Sequence, residues 1–521
     1  MSAARYDCIV IGAGHNGLTC AAYLARAGRS VLVLEAAGQP GGAAGTREFA
    51  PGFKVSGCAH LLHLMPSSLS RELGLSRHGL ALAAQRMPTI ALSPAAVALR
   101  IDPGAARAPE GLSASDAHNY LRYQKRMHRL ARALRPLLEA VPPRLGTRAW
   151  RDRLALLTLG ARMRLLGRSD LRELLRVGGM CVQDLLDEHF ESEQLKGALA
   201  FDAVLGANLG PRSPGTVFTL LYRMAAASAA GDSLAQPAGG LGSLCDALAR
   251  SAAAAGASIR CGAPVARVIV SKDRAAGVTL DSGERLEAAC VISSADPHTT
   301  FLKLLGAEHL DTGFVRRLAH LRSRGMAAKV HLALDRAPSF RGLEADATAG
   351  RLVLAPSPDA IERAYNHAKY GEFSAAPILE IVLPTAADPA MAPAGKHVLS
   401  AVVQYAPYRL AGGWEAGRQR FLDLVLATLE AHAPGLRDSV IAAELLAPPD
   451  IEAQFRITGG HWHHAELALD QFFMMRPVAA AAQYRAPVGG LYLCGAGCHP
   501  GGGVMGIAGR NAARQLLREA A

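Results

Sequence analysis

The fold is decided by the stretch Tyr6-Asp7-Cys8-Ile9-Val10-Ile11-Gly12-Ala13-Gly14-His15-Asn16-Gly17, in which a short apolar run meets Gly-x-Gly-x-x-Gly. A helix-length segment follows, and then a second apolar run that ends in an acid, Ser30-Val31-Leu32-Val33-Leu34-Glu35. The order of strand, glycine turn, helix, strand and acid is typical of a unit that binds a dinucleotide. The sequence therefore predicts an α/β fold whose nucleotide-binding unit is Rossmann-like.

Each part of this unit has a physical task. Gly12 permits the tight turn, Gly14 lets the backbone approach a pyrophosphate, and Gly17 lets the helix pack closely on the strand. The start of the helix offers free N–H groups to the phosphates. Glu35 can accept hydrogen bonds from an adenosine ribose and repels a 2′-phosphate, so FAD or NAD is favoured over NADP.

The composition is that of an ordinary globular protein. Of the 521 residues, 50% are hydrophobic and 19% are charged, and the length predicts two or more structural units. The nine cysteines are scattered without Cys-x-x-Cys or zinc-site spacing, which predicts a reducing, cytoplasmic location and no metal site. The first strand begins within a few residues of the start, so we expect no signal peptide, and no apolar run reaches the length of a membrane span.

Positive charge is concentrated in one part of the chain. The net charge is +12, and residues 120–177 hold 15 Lys or Arg against four acids, with leucines at helical spacing. Such a basic helical region can make peripheral contact with an anionic membrane, or it can be a solvated helical face. A nucleic-acid partner is not expected, because no binding motif is present and only 5% of residues are aromatic.

Glycine-rich blocks recur at three separated places along the chain. Besides the first unit, Gly239-Gly240-Leu241-Gly242 opens a helix, and an apolar strand leads into Gly495-Ala496-Gly497. We predict that residues 1–65, 236–300 and 480–521 assemble one discontinuous nucleotide-binding domain. Residues 66–235 and 301–479 are predicted to form a mixed α+β substrate domain, whose first part carries the helical, Arg-rich insertion.

Several further motifs extend along nearly the whole chain: Gly41-Gly42-Ala43-Ala44-Gly45-Thr46, Gly210-Pro211-Arg212-Ser213-Pro214-Gly215-Thr216, His499-Pro500-Gly501-Gly502-Gly503-Val504 and Gly509-Arg510-Asn511-Ala512-Ala513. With the first unit, they make the sequence resemble the phytoene-desaturase-like branch of the FAD-dependent amine oxidase and carotenoid desaturase superfamily. The resemblance implies a p-hydroxybenzoate-hydroxylase-like two-domain flavoprotein and noncovalent FAD. By the same resemblance, the residues that would contact FAD are Gly12, Gly14, His15, Asn16, Gly17, Glu35, Gly41, Gly42, Thr46, Val265, Gly495, Gly497, Gly503, Val504 and Met505.

Two positions depart from the pattern of that superfamily. Many relatives have Arg where this chain has Ala43, and many have Thr or Ser where it has Cys498. The first change removes a cation near the diphosphate. The second places a thiol near the flavin, where it is either an inert small residue or a point of covalent attachment.

A bound flavin carries the chemistry of dehydrogenation, so an evident catalytic base is not required and none is predicted. Four histidines are candidates for the substrate pocket, with a structural role as the alternative for each: His60, His63, His461 and His463. His461 and His463 have no evident carboxylate or cysteine partner, and a metal site is therefore not predicted.

The predicted function is oxidation of a small molecule. The main hypothesis is an FAD-dependent oxidoreductase that desaturates an apolar or amphiphilic substrate by hydride transfer to flavin N5. No second nucleotide fingerprint follows, so the electron acceptor is expected to be oxygen or a quinone. The alternatives are an amine or amino-acid oxidase, a flavin-dependent saturase or isomerase, and a flavin-binding, membrane-associated interaction protein with little turnover.

Overall fold

A computed structural model describes residues 5–93, 97–104 and 107–520. The protein is built on two large sheets, each with its own hydrophobic core. Helices cover the sheets, and a third core packs helices of residues 114–230, which include the basic region, against the second sheet. The predicted α/β class is confirmed.

The first sheet joins strands from distant parts of the sequence. Its order is Val265–Ser271, Arg274–Leu280, Arg285–Ser293, Arg5–Ile11, Val31–Leu34 and Ser258–Arg260, and Leu491–Leu493 also pairs with Arg285–Ser293. The central pairs are parallel. Val31–Leu34 is buried along its whole length, as expected for a parallel strand covered on both faces. Segments 5–34, 258–293 and 491–493 thus share one sheet, while the exact domain boundaries remain a prediction.

The second sheet is mostly antiparallel. Its strands run in the order Val440–Leu446, Ala327–Leu334, His397–Gln404, Ile378–Val382, Arg351–Leu354, Thr89–Ala91 and Leu99–Ile101. Short ribbons are formed by Thr46–Ala50 with Phe53–Ser56 and by Leu82–Ala84 with Gln236–Pro237. Every residue of Ala327–Leu334 is buried, although the strand contains a lysine and a histidine. Burying an ionisable group in such a strand is costly unless the group has hydrogen-bond or charged partners.

The α-helices of the described chain are His15–Arg26, Ser67–Glu72, Ala114–Glu139, Trp150–Leu165, Arg168–Val177, Val182–Asp187, Glu193–Val204, Thr216–Ala230, Gly242–Ala254, Thr312–Ala319, Pro358–Lys369, Pro384–Ala387, Trp414–His432, Pro448–Phe455 and Ile507–Ala520. A π-helical segment spans Thr299–Leu305. The first insertion is predominantly helical, as its sequence pattern predicts. Within the described ranges, no helix combines the length and the apolar character needed to cross a bilayer.

Candidate active site

The acid at the end of the second strand is fixed by the backbone around it. Glu35 accepts hydrogen bonds from the N–H of Ala13 at 2.7 Å and of Ala37 at 2.9 Å. These bonds orient the carboxylate at the carboxyl edge of the first sheet, beside the turn that begins helix His15–Arg26. Glu35 is therefore held in place at the position where a Rossmann-like unit binds a ribose.

The three glycines of the first turn have different surroundings. Gly12 has a φ of +93°, which only glycine adopts readily, and a Cβ on Gly17 would lie 2.1 Å from the Gly12 carbonyl oxygen. At Gly14, by contrast, an added Cβ would meet no heavy atom of the described chain within 4 Å. Gly12 is thus required by its backbone conformation and Gly17 by the protein's own packing, whereas the open space at Gly14 faces a cavity.

The second glycine loop lies against the first. Gly41 donates its N–H to the Ala13 carbonyl at 3.0 Å, and a Cβ on Gly42 would come within 3.6 Å of the Gly14 Cα. Thr46 joins this loop to the next glycine block, because its hydroxyl donates to the Gly239 carbonyl at 2.8 Å and accepts from the Gly242 N–H at 2.9 Å. Thr46 therefore holds the loops together and is not part of the cavity wall as described.

A cavity of about 650 Å³ extends from these loops into the rest of the molecule. Its wall includes many of the residues predicted to bind the cofactor: Gly12, Gly14, His15, Asn16, Glu35, Gly41, Gly42, Val265, Gly503 and Val504. Farther along, the same cavity is lined by residues of the second sheet and of the helical region. We call it the main cavity.

The remaining predicted cofactor residues pack beside the main cavity. A Cβ on Gly495 would lie 2.4 Å from the Ser294 carbonyl oxygen, and one on Gly497 would lie 2.4 Å from the Pro297 ring. Met505 is buried, with its sulfur 3.9 Å from the Tyr222 hydroxyl. These glycines allow the last strand and its turn to approach the first sheet closely.

The polar groups at this end of the main cavity fit a dinucleotide. His15 Nε2 and Asn16 Oδ1 are buried and have no hydrogen-bond partner in the described part of the chain. Burial lowers the pKa of His15 to about 4, so its ring is neutral. An extended dinucleotide would satisfy all the groups found here, namely the unpartnered polar atoms, the free N–H groups at the start of a helix and the oriented carboxylate.

Of the four histidines predicted for the pocket, the structure places three in the wall of the main cavity and one outside it. His60, His63 and His463 line the main cavity, whereas His461 lies behind the wall, with its Nε2 3.5 Å from Glu466 Oε2. Both ring nitrogens of His63 lack a partner within the described residues. Burial lowers its pKa to about 3, so a neutral His63 has both a donor and an acceptor to offer to a ligand.

Both ring nitrogens of His60 are hydrogen-bonded to other groups of the protein. Its Nε2 lies 2.8 Å from Glu380 Oε1, and its Nδ1 lies 2.9 Å from Lys329 Nζ. Burial lowers the pKa of His60 to about 4. The neutral ring therefore donates from Nε2 to the carboxylate and accepts at Nδ1 from the lysine.

Sequence analysis did not identify the charged groups that surround His60. We define the charged network as Lys329, His60, Glu380, Arg351 and Asp202. Arg351 pairs with Glu380 and, at 2.7 Å, with Asp202 Oδ1. Lys329 and Glu380 each interrupt an apolar strand of the second sheet, and Arg351 is the first residue of another. An ionisable residue within an apolar strand, or at its first position, is the signal that could have found them.

Burial and charge act in opposite directions on the network's ionisable groups. Burial alone would raise the pKa of Glu380, but Arg351 and His60 outweigh it and hold that pKa well below its usual range. Lys329 is fully buried, and burial lowers its pKa to about 7. The network therefore contains an ionised carboxylate and a lysine that loses its proton near neutral pH.

A smaller cavity of about 180 Å³ adjoins the main one. The two share His63, Arg223, Leu234 and Arg351 in their walls. The smaller cavity continues between helices of the first insertion and is lined there by Tyr123, whose buried hydroxyl has no partner in the described chain. The space beyond His63 is thus partly polar.

The two departures from the superfamily pattern can be located. Ala43 lines the main cavity between Gly42 and Ala44. Cys498 is 1% exposed, and burial raises the pKa of its thiol. All nine cysteines fall within the described ranges and are free.

Comparison with known proteins decides the family. Residues 17–517 match the family described as flavin-containing amine oxidoreductase. The chain belongs to this family. The predicted superfamily and fold class, a Rossmann-like FAD-binding domain with a mixed substrate domain, are therefore confirmed, as is the class of enzyme, an FAD-dependent oxidoreductase.

Individual relatives in this family differ in how much of the chain they match. Mouse pyridine nucleotide-disulfide oxidoreductase domain-containing protein 2 is 39% identical over 552 residues, covering 99% of this chain and 94% of the mouse protein. Phytoene desaturase (neurosporene-forming) of Cereibacter sphaeroides is 27% identical over 274 residues, covering 52% of this chain and 51% of that protein. Putrescine oxidase bound to putrescine superposes with a TM-score of 0.63 at 16% identity, covering 99% of each chain, and shows the fold alone.

Proposed function

We propose that this oxidoreductase dehydrogenates an apolar or amphiphilic small molecule by hydride transfer to N5 of a noncovalently bound FAD. The observation that carries the proposal is the main cavity, which is lined at one end by the glycine loops with Glu35 and at the other by His63, Arg351 and Glu380. Bound FAD would supply the hydride acceptor. The protein's own residues bind the cofactor, orient the substrate and exclude water.

Cofactor binding is assigned to the residues that line the first part of the main cavity. The N–H groups at the start of helix His15–Arg26 would receive the diphosphate next to Gly14, and Glu35 would accept from the ribose hydroxyls. Val265 would meet the adenine through its backbone. Gly503 lies just ahead of helix Ile507–Ala520, whose positive end favours negative charge on a flavin.

Substrate binding is assigned to the far part of the main cavity. Its wall there is largely aliphatic and includes Leu61, Leu64, Leu205, Leu234 and Val402. The charged network and the free nitrogens of His63 provide a polar end. An amphiphilic molecule, with a polar group near His63 and an apolar body along the leucines, fits this division. The likeness to a phytoene desaturase supports the apolar part of the proposal.

An amine oxidase is the second candidate. Phe455 and Trp462 line the main cavity near Cys58. Aromatic faces attract ammonium groups, so this wall favours an amine more than a purely aliphatic wall would. A substrate survey must therefore include amines.

We propose oxygen or a quinone as the electron acceptor and the cytoplasm, with peripheral membrane contact, as the place of action. The free state of all nine cysteines supports a reducing compartment. Because FAD would fill the single nucleotide fingerprint of the sequence, NADH and NADPH should reduce the flavin slowly or not at all. Rapid anaerobic bleaching by micromolar NADH would contradict this part of the proposal.

The test is anaerobic stopped-flow measurement of flavin bleaching with panels of apolar alcohols, isoprenoids, fatty acyl compounds and amines. We expect one of the non-amine panels to reduce the flavin. With that substrate, His63→Leu should raise KM more than it lowers kcat, because His63 would orient the polar end. The control is Tyr370→Ser, a change at a residue that is 81% exposed. Bleaching by amines alone would select the second candidate, and a flavin that no panel reduces would favour a binding protein with little turnover.

A further inference from the structure

Helix Trp150–Leu165 has apolar side chains on two opposite faces. Leu156, Leu159 and Met163 are half-buried on the inner face, toward the protein. None of the residues of this helix, all of which the structure describes, is fully buried. The helix therefore lies on the surface of the molecule and leaves its other face uncovered.

The uncovered face carries a stripe of large apolar residues. Trp150 is 67% exposed, Leu154 53%, Leu157 71% and Leu165 84%. They are spaced three or four residues apart, with Ala161 filling the one gap, so they align on one side of the helix. We call this surface the outer stripe. Singly exposed leucines are ordinary, but a contiguous apolar stripe marks an interaction surface.

Arginines border the outer stripe on both sides. Helical spacing places Arg151 and Arg162 along one edge and Arg153 and Arg164 along the other. As far as the chain is described, none of these four guanidinium groups takes part in an ion pair. Arg153 donates to the Thr147 carbonyl at 3.3 Å, and the Arg151 guanidinium lies over the Trp150 ring, 5.6 Å from its centroid. An apolar stripe between cations that have no acidic partner among the described residues is the arrangement of a helix that lies in a membrane interface.

We propose that the outer stripe lies on an anionic lipid bilayer, with helix Trp150–Leu165 parallel to the membrane plane. Trp150 and the leucines enter the boundary between headgroups and acyl chains, and the arginines contact the anionic headgroups. A second copy of the chain is the disfavoured occupant, because it would bring two arginine borders of a +12 protein together. This inference specifies the peripheral contact proposed above and does not depend on the flavin reaction.

The test is co-sedimentation of the full-length flavoprotein with vesicles of phosphatidylcholine alone or in an equal mixture with phosphatidylserine. We expect pelleting with the anionic vesicles at low salt. Pelleting should fall as salt rises, since the Debye length is about 8 Å at physiological ionic strength. A blue shift of tryptophan emission should accompany binding and be absent in Trp150→Phe.

Two exposed double variants separate the contributions of charge and apolar contact. Arg162→Glu with Arg164→Glu should lower the partition coefficient at least tenfold, since each arginine near the surface contributes roughly fivefold. Leu154→Ser with Leu157→Ser should also lower it and should reduce the binding that persists at high salt. The matched controls are Arg316→Glu with Arg317→Glu, which makes the same charge change on an exposed helix elsewhere, and Ile441→Ser with Leu469→Ser.

The outcomes are distinct. Loss of binding in the outer-stripe variants but not in the controls supports the proposal. It is overturned if anionic vesicles fail to pellet the wild type at low salt, or if the controls lose binding equally. It is also overturned if light scattering shows a dimer that the outer-stripe variants abolish. Each result leaves the flavin-bleaching test unaffected, so failure here and failure of the proposed reaction can be told apart.

Discussion

Replacing Gly14 with valine should remove the flavin and leave the protein folded. Gly14 has a φ of −72° and a ψ of 170°, which valine adopts without strain. An added Cβ meets nothing within 4 Å in the described chain. The new side chain would instead occupy the space in which the diphosphate approaches the helix.

The expected changes in stability and in FAD affinity follow from the unstrained backbone of Gly14 and from the open space beside it. Without cofactor, the free energy of unfolding should change by less than about 1 kcal/mol, as for other glycine substitutions at unstrained positions. With cofactor, the loss of two hydrogen bonds to the charged diphosphate costs roughly 3–6 kcal/mol, which weakens binding by two to four orders of magnitude. FAD at a hundred times its Kd stabilises the wild type by about 2.7 kcal/mol, and the variant should gain almost none of this.

The assay compares flavin absorbance per protein with urea unfolding in the presence and absence of FAD. Gly179→Val is the matched control, because a Cβ there also meets nothing within 4 Å and lies outside the described cavity walls. Gly17→Ala gives the opposite control, since its Cβ would clash with the Gly12 carbonyl and destabilise the fold. A folded Gly14→Val protein that binds FAD like the wild type would refute the reasoning.

Three further predictions concern buried groups. Burial lowers the pKa of Lys329 to about 7 from an ordinary 10.5, so between these pH values the unfolded chain binds more protons and the free energy of unfolding rises with pH. Lys329→Met should abolish this rise, which amounts to up to about 5 kcal/mol. Parallel pH profiles for the wild type and the variant would contradict this. Arg351→Met should cost roughly 3–5 kcal/mol by leaving the buried charge of Glu380 without its guanidinium partner, with only the neutral His60 ring still bonded to it. Arg351→Met with Glu380→Leu should recover most of this loss, and equal urea midpoints for the two variants would count against the pairing. Acid denaturation should release free FAD from both the wild type and Cys498→Ser, whereas flavin that stays with only the wild-type polypeptide would indicate attachment to Cys498.

The first part of the nucleotide end of the main cavity was predictable because the glycine turn and its acid are close in sequence. The turn through Gly12, Gly14 and Gly17 and the acid Glu35 belong to one strand–helix–strand unit, and each residue's task follows from local backbone geometry. The structure adds the distinction between Gly17, which the protein's own packing requires, and Gly14, which faces open space.

The far end of the main cavity could not be predicted in this way. Lys329, Arg351 and Glu380 lie on separate strands, and His60 reaches them from a loop more than 250 residues away in sequence. Sequence pattern favoured His60 and His63 equally as pocket residues. Only the tertiary contacts leave the His63 nitrogens without a partner among the described residues, while His60 has both of its nitrogens bonded.

The sequence by itself determined the dinucleotide unit, the α/β class and the basic character of the helical insertion, because these depend on short-range spacing and composition. Tertiary structure decided which charges are buried together and which face of helix Trp150–Leu165 is left uncovered. Apolar residues recur on two opposite sides of that helix, and their spacing alone does not show which side the rest of the protein covers. Burial is a property of the whole packed chain, and it selects among faces that the sequence leaves equivalent.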